Sequence, residues 1–397
     1  MGCNVTCLGD LSIDGGKYGI AAPAVEYDPQ LPAYLRISDI NDDGTLNTTD
    51  RKSVANPSAK NYMLKRGDIV FARTGGSTGR NYYYDERDGN FAFAGFLIKF
   101  SLDPTKVNPR FIKYYTQSKP YWNWICSFNT GSTRGNINAK TLADMPIPLP
   151  SQPVQNAIVS ICDSISEKIR VNNRLNGYLE ELADSLFQDM FAHQADNATL
   201  ADVASVTMGQ SPVGASYNEK GVGTVFYQGR GEFGWRFPTQ RLFTTAPKHM
   251  AAVNDVLMSV RAPVGDLNVA YEDCCIGRGL AAISSGHHSF CLYLMRSLKR
   301  KLDAFNGEGT VFGSINGKAL KGLPVYAPPA SAIEAFEAKA SPIDKLISTN
   351  EAENRKLEKM GDALLPKLMS GEIDVSKVDL TQLNSHLVEH CPQSFSQ

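Results

Sequence analysis

The side chains best suited to chemistry in this 397-residue chain sit in two arginine-ended turns and a few polar loops. Arg73-Thr74-Gly75-Gly76-Ser77-Thr78-Gly79-Arg80 has the glycines of a phosphate cradle but lacks the Gly-Lys-Ser/Thr ending that reaches nucleotide phosphates. Arg261-Ala262-Pro263-Val264-Gly265-Asp266, in the second half, keeps an arginine and one glycine. Both therefore read as turns between strands, with backbone N–H groups and arginines open to DNA phosphates or base edges. Three further loops carry base-reading chemistry, since Arg forks onto guanine and Gln or Asn onto adenine. They are Leu35-Arg36-Ile37-Ser38-Asp39, Phe128-Asn129-Thr130-Gly131-Ser132-Thr133-Arg134, and the run from Tyr227 through Gln228, Arg230 and Trp235 to Arg236. Each taken singly is also consistent with plain solvated surface, and it is their recurrence in both halves that favours function.

Other chemistries fit poorly. Cys274, Cys275, His287, His288 and Cys291 invite a zinc reading, but adjacent cysteines point to opposite faces of a strand and metal knuckles want two to four residues between ligands. A strand of buried thiols is the simpler reading, and no metal is expected. No Gly-x-Ser-x-Gly elbow, base-flanked cysteine or carboxylate pair suggests a catalytic centre. A cofactor loop followed by Asn-Pro-Pro or Asp-Pro-Pro is missing too, so no catalytic residues are expected.

Composition describes an ordinary globular chain, 42% hydrophobic and 20% charged, long enough for two or three domains. The net charge of −1 argues mildly against a nucleic-acid binder unless basic residues gather on one face or partners supply phosphate contacts. The eight cysteines, at 3, 7, 126, 162, 274, 275, 291 and 391, form no Cys-x-x-Cys pair, which with the lack of a signal sequence or apolar span predicts a reducing cytoplasm and no membrane.

An internal repeat organises the elements that must hold these loops. Gly135-Asn136-Ile137-Asn138-Ala139-Lys140-Thr141-Leu142 leads to Met145-Pro146-Ile147-Pro148-Leu149-Pro150, and Gly313-Ser314-Ile315-Asn316-Gly317-Lys318-Ala319-Leu320 leads to Leu323-Pro324-Val325-Tyr326-Ala327-Pro328. Upstream, the strand ending at Arg73 pairs with the one ending at Arg261, and Cys7-Leu8-Gly9-Asp10-Leu11 with Thr199-Leu200-Ala201-Asp202-Val203.

After each proline cluster the pattern turns helical. Ile158, Ile161, Ile165, Lys168, Asn172, Leu175, Leu179, Leu182 and Leu186 recur at spacings of three and four, as do Phe336, Lys339, Ile343, Leu346, Asn350, Glu353, Leu357, Met360 and Leu364. This is a coiled-coil seam, its core expected at Ile158, Ile165, Asn172, Leu179 and Leu186 against Ile343, Asn350, Leu357 and Leu364, with the asparagines fixing register. Ordinary amphipathic core helices are the alternative, but about 60 Å of helix suits a spacer. Pro342 marks a helix start with Ser341 as its N-cap.

With these residues in hand, the chain resembles the specificity subunits of Type I restriction-modification systems over nearly its whole length. The motifs are Met208-Gly209-Gln210-Ser211-Pro212, Tyr227-Gln228-Gly229, Asp255 through Asp266, Cys274-Cys275-Ile276-Gly277-Arg278-Gly279-Leu280-Ala281, Gly309-Thr310-Val311-Phe312 and the tail Leu364 to Ile373. The first half departs from the family pattern, opening with Met1-Gly2-Cys3 and lacking an early Trp.

The resemblance implies an α+β fold: two mixed β-rich target-recognition domains related by the repeat and separated by two long antiparallel coiled-coil helices. The expected division is 1–150 and 193–329 for the domains, 151–192 and 330–397 for the helices and tail. It implies a non-catalytic reader of bipartite double-stranded DNA, using Arg36, Ser38, Arg73, Thr74, Ser77, Arg80, Arg134, Gln228, Arg230, Trp235, Arg236, Arg261 and Arg278. Partners would be two modification (methyltransferase) subunits, which carry S-adenosylmethionine, and restriction subunits, which carry ATP and Mg; no cofactor is expected on this chain. A DNA-free coiled-coil scaffold and a related two-subunit, Type IIB-like system remain open. Helix length would act as a ruler, so a heptad added to both helices should lengthen the spacer between half-sites.

Overall fold

The computed structural model describes residues 4–128, 136–192, 194–307 and 313–375. Arg134, the Gly309–Phe312 motif and the chain beyond 375 lie outside the described residues. The chain divides into two compact units, Met1–Arg170 with Asn354–Gln397, and Val171–Glu353. Each long helix gives one end to each unit, so each unit holds strands, short helices and a stretch of helix pair.

In the first unit, Asn4–Cys7 pairs antiparallel with Pro146–Leu149. A four-stranded antiparallel sheet runs in the order Lys17–Tyr18, Leu97–Ser101, Asp68–Ala72, Asn81–Tyr83. A second sheet runs Val25–Glu26, Lys52–Ser53, Ala33–Leu35, Phe91–Phe93, its last pair parallel. The strand Asp68–Ala72 is buried along its length, and its period of two divides the core. Ile69 and Phe71 pack with Ile98, Phe100, Phe111 and the helical Ile158 and Ile161, whereas Val70 and Ala72 pack with Leu35, Tyr82 and Phe93 of the second layer.

The second unit pairs Ala198–Thr199 with Pro324–Val325 and forms an antiparallel sheet ordered Ser205–Met208, Leu280–Ser284, Val256–Ser259, Leu267–Val269. Its five-stranded partner runs Tyr217–Asn218, Leu242–Thr244, Thr224–Tyr227, Cys274–Ile276, Met250–Ala251, with Thr224–Tyr227 parallel to Cys274–Ile276. Val256 and Met258 face the helical core, and Leu257 faces Tyr227, Ile276 and Ala282. The Asn-x-Lys-x-Leu segments behave alike. Asn138 and Asn316 cap the short helices Ala139–Ala143 and Gly317–Lys321 by accepting from Thr141 N and Ala319 N, and Leu142 and Leu320 are buried beneath them.

The long helices are Gln152–Phe191 and Ala330–Ser370, 40 and 41 residues. In the second unit they run antiparallel: Asn172 Nδ2 donates to Glu353 Oε2 (2.8 Å), Asn350 Nδ2 to Asn176 Oδ1 (2.8 Å), and Phe187 stacks edge-on to Phe336 (5.4 Å). In the first unit Ile158 and Ile165 share a core with Leu357, Leu364 and Leu368.

Two expectations change here. One column of the seam falls where the spacing puts it: Ile158, Ile165, Asn172 and Asn350 are buried, and Leu179, Leu186, Ile343, Leu357 and Leu364 are partly buried in the core clusters. The other column moves by one residue. Cys162, Ile169, Asn176 and Ala183 face inward on the first helix and Ala340, Ile347, Asn354 and Gly361 on the second. Leu175, Leu182, Leu346 and Met360 are instead 40 to 50% exposed. In the second unit the small or polar Asn176, Ala183 and Ala340 at inner positions let the helices approach, and Asn172, Asn176 and Asn350 are buried there.

The second correction concerns Pro342, which lies inside the helix rather than at its start. Pro342 and Ala338 are both on the exposed side, so the carbonyl left without a donor reaches water while Phe336, Ala340 and Ile347 hold the helix to the core.

Candidate nucleic-acid interface

Four segments of the second unit meet at one edge of its sheets. Gly209 N donates to Leu280 O and Gln210 N to Ile276 O; Gly277 N donates to Tyr227 O (2.8 Å); Val260 N donates to Gly279 O (3.0 Å). The approach is too close for side chains. A Cβ on Gly209 would lie 2.2 Å from Gly277 O, and Cβ atoms on Gly277 and Gly279 would lie 2.9 and 2.8 Å from Gln228 O. The glycines therefore stack three turns back to back and turn the intervening side chains outward. Gln210 N is bonded through the backbone and, among the described residues, its side chain has no hydrogen-bond partner; Ser211 Oγ accepts from Arg278 N (3.4 Å), and Gln228, Arg261 and Arg278 are exposed. Among the described residues, the guanidinium groups of Arg261 and Arg278 have no hydrogen-bond or ion-pair partner. Arg261 also bridges to Ser314, which brings the segment leading into the second Asn-x-Lys motif to the same edge.

The first unit uses the same backbone plan. Ile20 N donates to Phe93 O, Ala94 N to Leu35 O, Arg73 N to Phe96 O and Ile137 N to Arg73 O. Gly19 packs so closely on Ala94 that a Cβ would lie 2.3 Å from its carbonyl oxygen. These bonds correct one pairing made from the sequence. Ile137 N donates to Arg73 O as Ile315 N donates to Val260 O, so Val260 occupies the place of Arg73, and Thr74 that of Arg261. The lengths of the two strand ends had hidden the offset.

The remaining candidates divide by how their donors are used. Arg73 lies over the Tyr18 ring at 5.0 Å, with its Nε buried. Thr74 and Ser77 are half-buried on the turn that Gly75 (φ 74°) and Gly79 (φ 90°) shape, and Ser38 is exposed. Arg36 is tied to Asp39 and Asp50, whose carboxylates raise its pKa, and Arg80 pairs with Asp42 at 2.6 Å. Arg230 pairs with Asp266 at 2.6 Å, and Trp235 is half exposed.

Arg236 departs most from the sequence reading, because it is 4% exposed and cannot reach DNA. Its Nη1 donates to Glu180 Oε1 (3.0 Å) and its Nη2 to Tyr293 OH (3.3 Å) and to Asp344. Burial disfavours its charge, yet Asp344, Tyr293 and Glu180 more than offset this and its pKa stands above the ordinary value. Nothing in the local sequence distinguishes it from Arg230, since its partners lie 56 and 108 residues away.

Cys274, Cys275 and Cys291 are buried; burial pushes the thiols of Cys274 and Cys291 up to about 12. Among the described residues no cluster of three His, Cys, Asp or Glu side chains could hold a metal, and no helix is long and apolar enough to cross a membrane. Sequence reasoning did not single out Gln210 and Ser211 as site residues, although the structure places them at this edge; their signal was the glycine beside them.

Residues 4–181 match the family model described as the Type I restriction modification DNA specificity domain. The chain is 29% identical over 343 residues to the putative type I restriction enzyme MjaX specificity subunit of Methanocaldococcus jannaschii, covering 79% of this chain and 80% of the relative. It is 18% identical over 408 residues to the type I restriction enzyme HindI specificity subunit of Haemophilus influenzae, covering 80% and 89%. The crystal structure of a Type-I restriction-modification system S subunit from M. genitalium is similar in fold, with a TM-score of 0.57, 17% identity and coverage of 92% and 96%.

Proposed function

We infer that this chain belongs to the family of Type I restriction-modification specificity subunits and that it is a non-catalytic reader of double-stranded DNA. It directs modification and restriction subunits to a split target. The observation that carries the reading is the glycine-stacked edge of the second unit, where Gln210, Gln228, Arg261 and Arg278 stand together, their polar ends without partners among the described residues and so available for base edges.

Two readers related by an internal repeat best account for the two units. The sheet orders match strand for strand, apart from one added edge strand, Met250–Ala251, and each has one parallel pair at the same place. Along the helices the inward positions of the two copies differ by a constant 178, as in Asn350 against Asn172 and Asn354 against Asn176. Thr74 and the exposed Phe96 would serve the first reader, Gln210, Gln228, Arg261 and Arg278 the second. The helix pair would space the readers and seat two modification subunits, which bring S-adenosylmethionine; restriction subunits would bring ATP and Mg. The whole would work in the cytoplasm.

Binding of the purified complex to target and scrambled duplexes across a salt series tests this against a DNA-free scaffold. A reader loses affinity steeply with salt and keeps a preference for the target at every salt concentration; a scaffold shows neither.

A further inference from the structure

Arg236 is the centre of a buried charge cluster that ties the strands of the second unit to both long helices. It stands in the loop that continues from Gln228, and that loop is pinned on either side. Gly234 and Asn268 exchange hydrogen bonds (3.2 and 3.0 Å), and Arg236 O accepts from Val269 N (2.9 Å), so the residue moves with the strand Leu267–Val269. Its guanidinium then divides between Glu180 on the first long helix and Asp344 on the second. Arg296, from the helix His288–Ser297, donates to the same Glu180 oxygen (2.9 Å) and to Asp184, and Tyr293 OH donates to Asp344 (3.0 Å).

A buried ion cluster of this kind is poor value as stability, because well-packed apolar groups of similar volume do as well or better. The unit already has such packing in Phe187, Phe191, Phe290 and Phe336. What the planar fork adds is geometry: two carboxylates on two different helices can be satisfied at once in only one orientation of the loop.

We propose that Arg236 is a positioning residue that fixes the angle at which the second reader stands on the helix pair, and thereby the number of base pairs accepted between the half-sites. The proposal rests on the reading of the chain as a split-site reader. Arg236 touches no DNA; it acts through the placement of Gln228, Arg261 and Arg278.

The test is methylation sequencing of a target library with the spacer shortened or lengthened by one base pair, in cells expressing the full chain with its cognate modification subunit. The double variant Arg236→Met/Asp344→Leu removes the charges together and leaves Glu180 paired with Arg296, so no buried charge is orphaned. Its expected result is the parental half-site sequences with methylation of off-length spacers raised about tenfold relative to the parent, the scale of relieving one misfit in a site. Tyr293→Phe, which removes one hydroxyl and leaves both ion pairs, should show the same relaxation at about threefold and guards against loss of folding in the double variant. Parental spacer selectivity in the variants, with methylation merely reduced, would overturn the proposal; so would an altered base preference, which would make Arg236 a reader. If the parental chain itself yields no split motif, the failure lies in the underlying reading instead.

Discussion

Neighbouring residues Leu346 and Ile347 separate the seam read from spacing from the seam the structure builds. Ile347 is fully buried in the core of the second unit, whereas Leu346 is 43% exposed. Truncating Ile347 to alanine removes three carbons from a packed site, about 2.4 kcal/mol in transfer terms. The cavity left behind carries the expected loss into the range of about 2–5 kcal/mol. For a unit of this size that is a fall in thermal midpoint of roughly 4–20 °C. Leu346→Ala gives up a half-exposed side chain and opens no cavity, so its cost should be about 1 kcal/mol or less. Parallel thermal and urea melts of the purified chain, read by circular dichroism, make the comparison directly. A Leu346→Ala loss equal to or larger than that of Ile347→Ala would refute the shifted seam and restore the simple leucine heptad.

Other outcomes follow from the same geometry. Gly277→Ala drives a Cβ to 2.9 Å from Gln228 O, a backbone atom that cannot swing away, so it should cost about 1–3 kcal/mol and weaken reading of one half-site while sparing the other. Methylation scored separately for the two halves checks this. In the first unit, hydrogen bonding from Arg170 and then Arg87 holds the Glu167 carboxyl well below its usual 4.5, at about 2. Because the folded value is depressed, the contribution is present in full above pH 4.5 and disappears as pH falls towards 2. Glu167→Gln should therefore destabilise at neutral pH by an amount that shrinks with added salt and vanishes in acid, as urea melts over a pH series would show. A difference independent of pH would contradict the ion-pair account.

Much of this architecture is legible in the sequence because it rests on local rules. The repeated Asn-x-Lys-x-Leu segments form capped helices since Asn138 and Asn316 supply the oxygen that their first turns need. The long helices are visible from their period, and half of the seam from its branched residues. The other half was obscured because hydrophobicity favours Leu175 and Leu182 over the inward Asn176 and Ala183, and does not rank Leu346 against its equally apolar neighbour Ile347. The interface was partly legible: the glycines at 209, 277 and 279 mark where backbones touch, but which loops touch is decided by strand pairing across some seventy residues. Arg236 was illegible, because a buried arginine is told from a surface one only by carboxylates that arrive from distant helices.

The central claim is that the chain reads DNA in two parts, one per unit. Methylation sequencing of cells expressing the chain with its cognate modification subunit tests it most directly, with Arg261→Ala/Arg278→Ala alongside the parent. The account predicts a split motif in which the double variant loses discrimination in one half by about 1–3 kcal/mol per base and leaves the other half and the spacer untouched. A contiguous motif, uniform loss across both halves, or methylation that does not depend on this chain would contradict it.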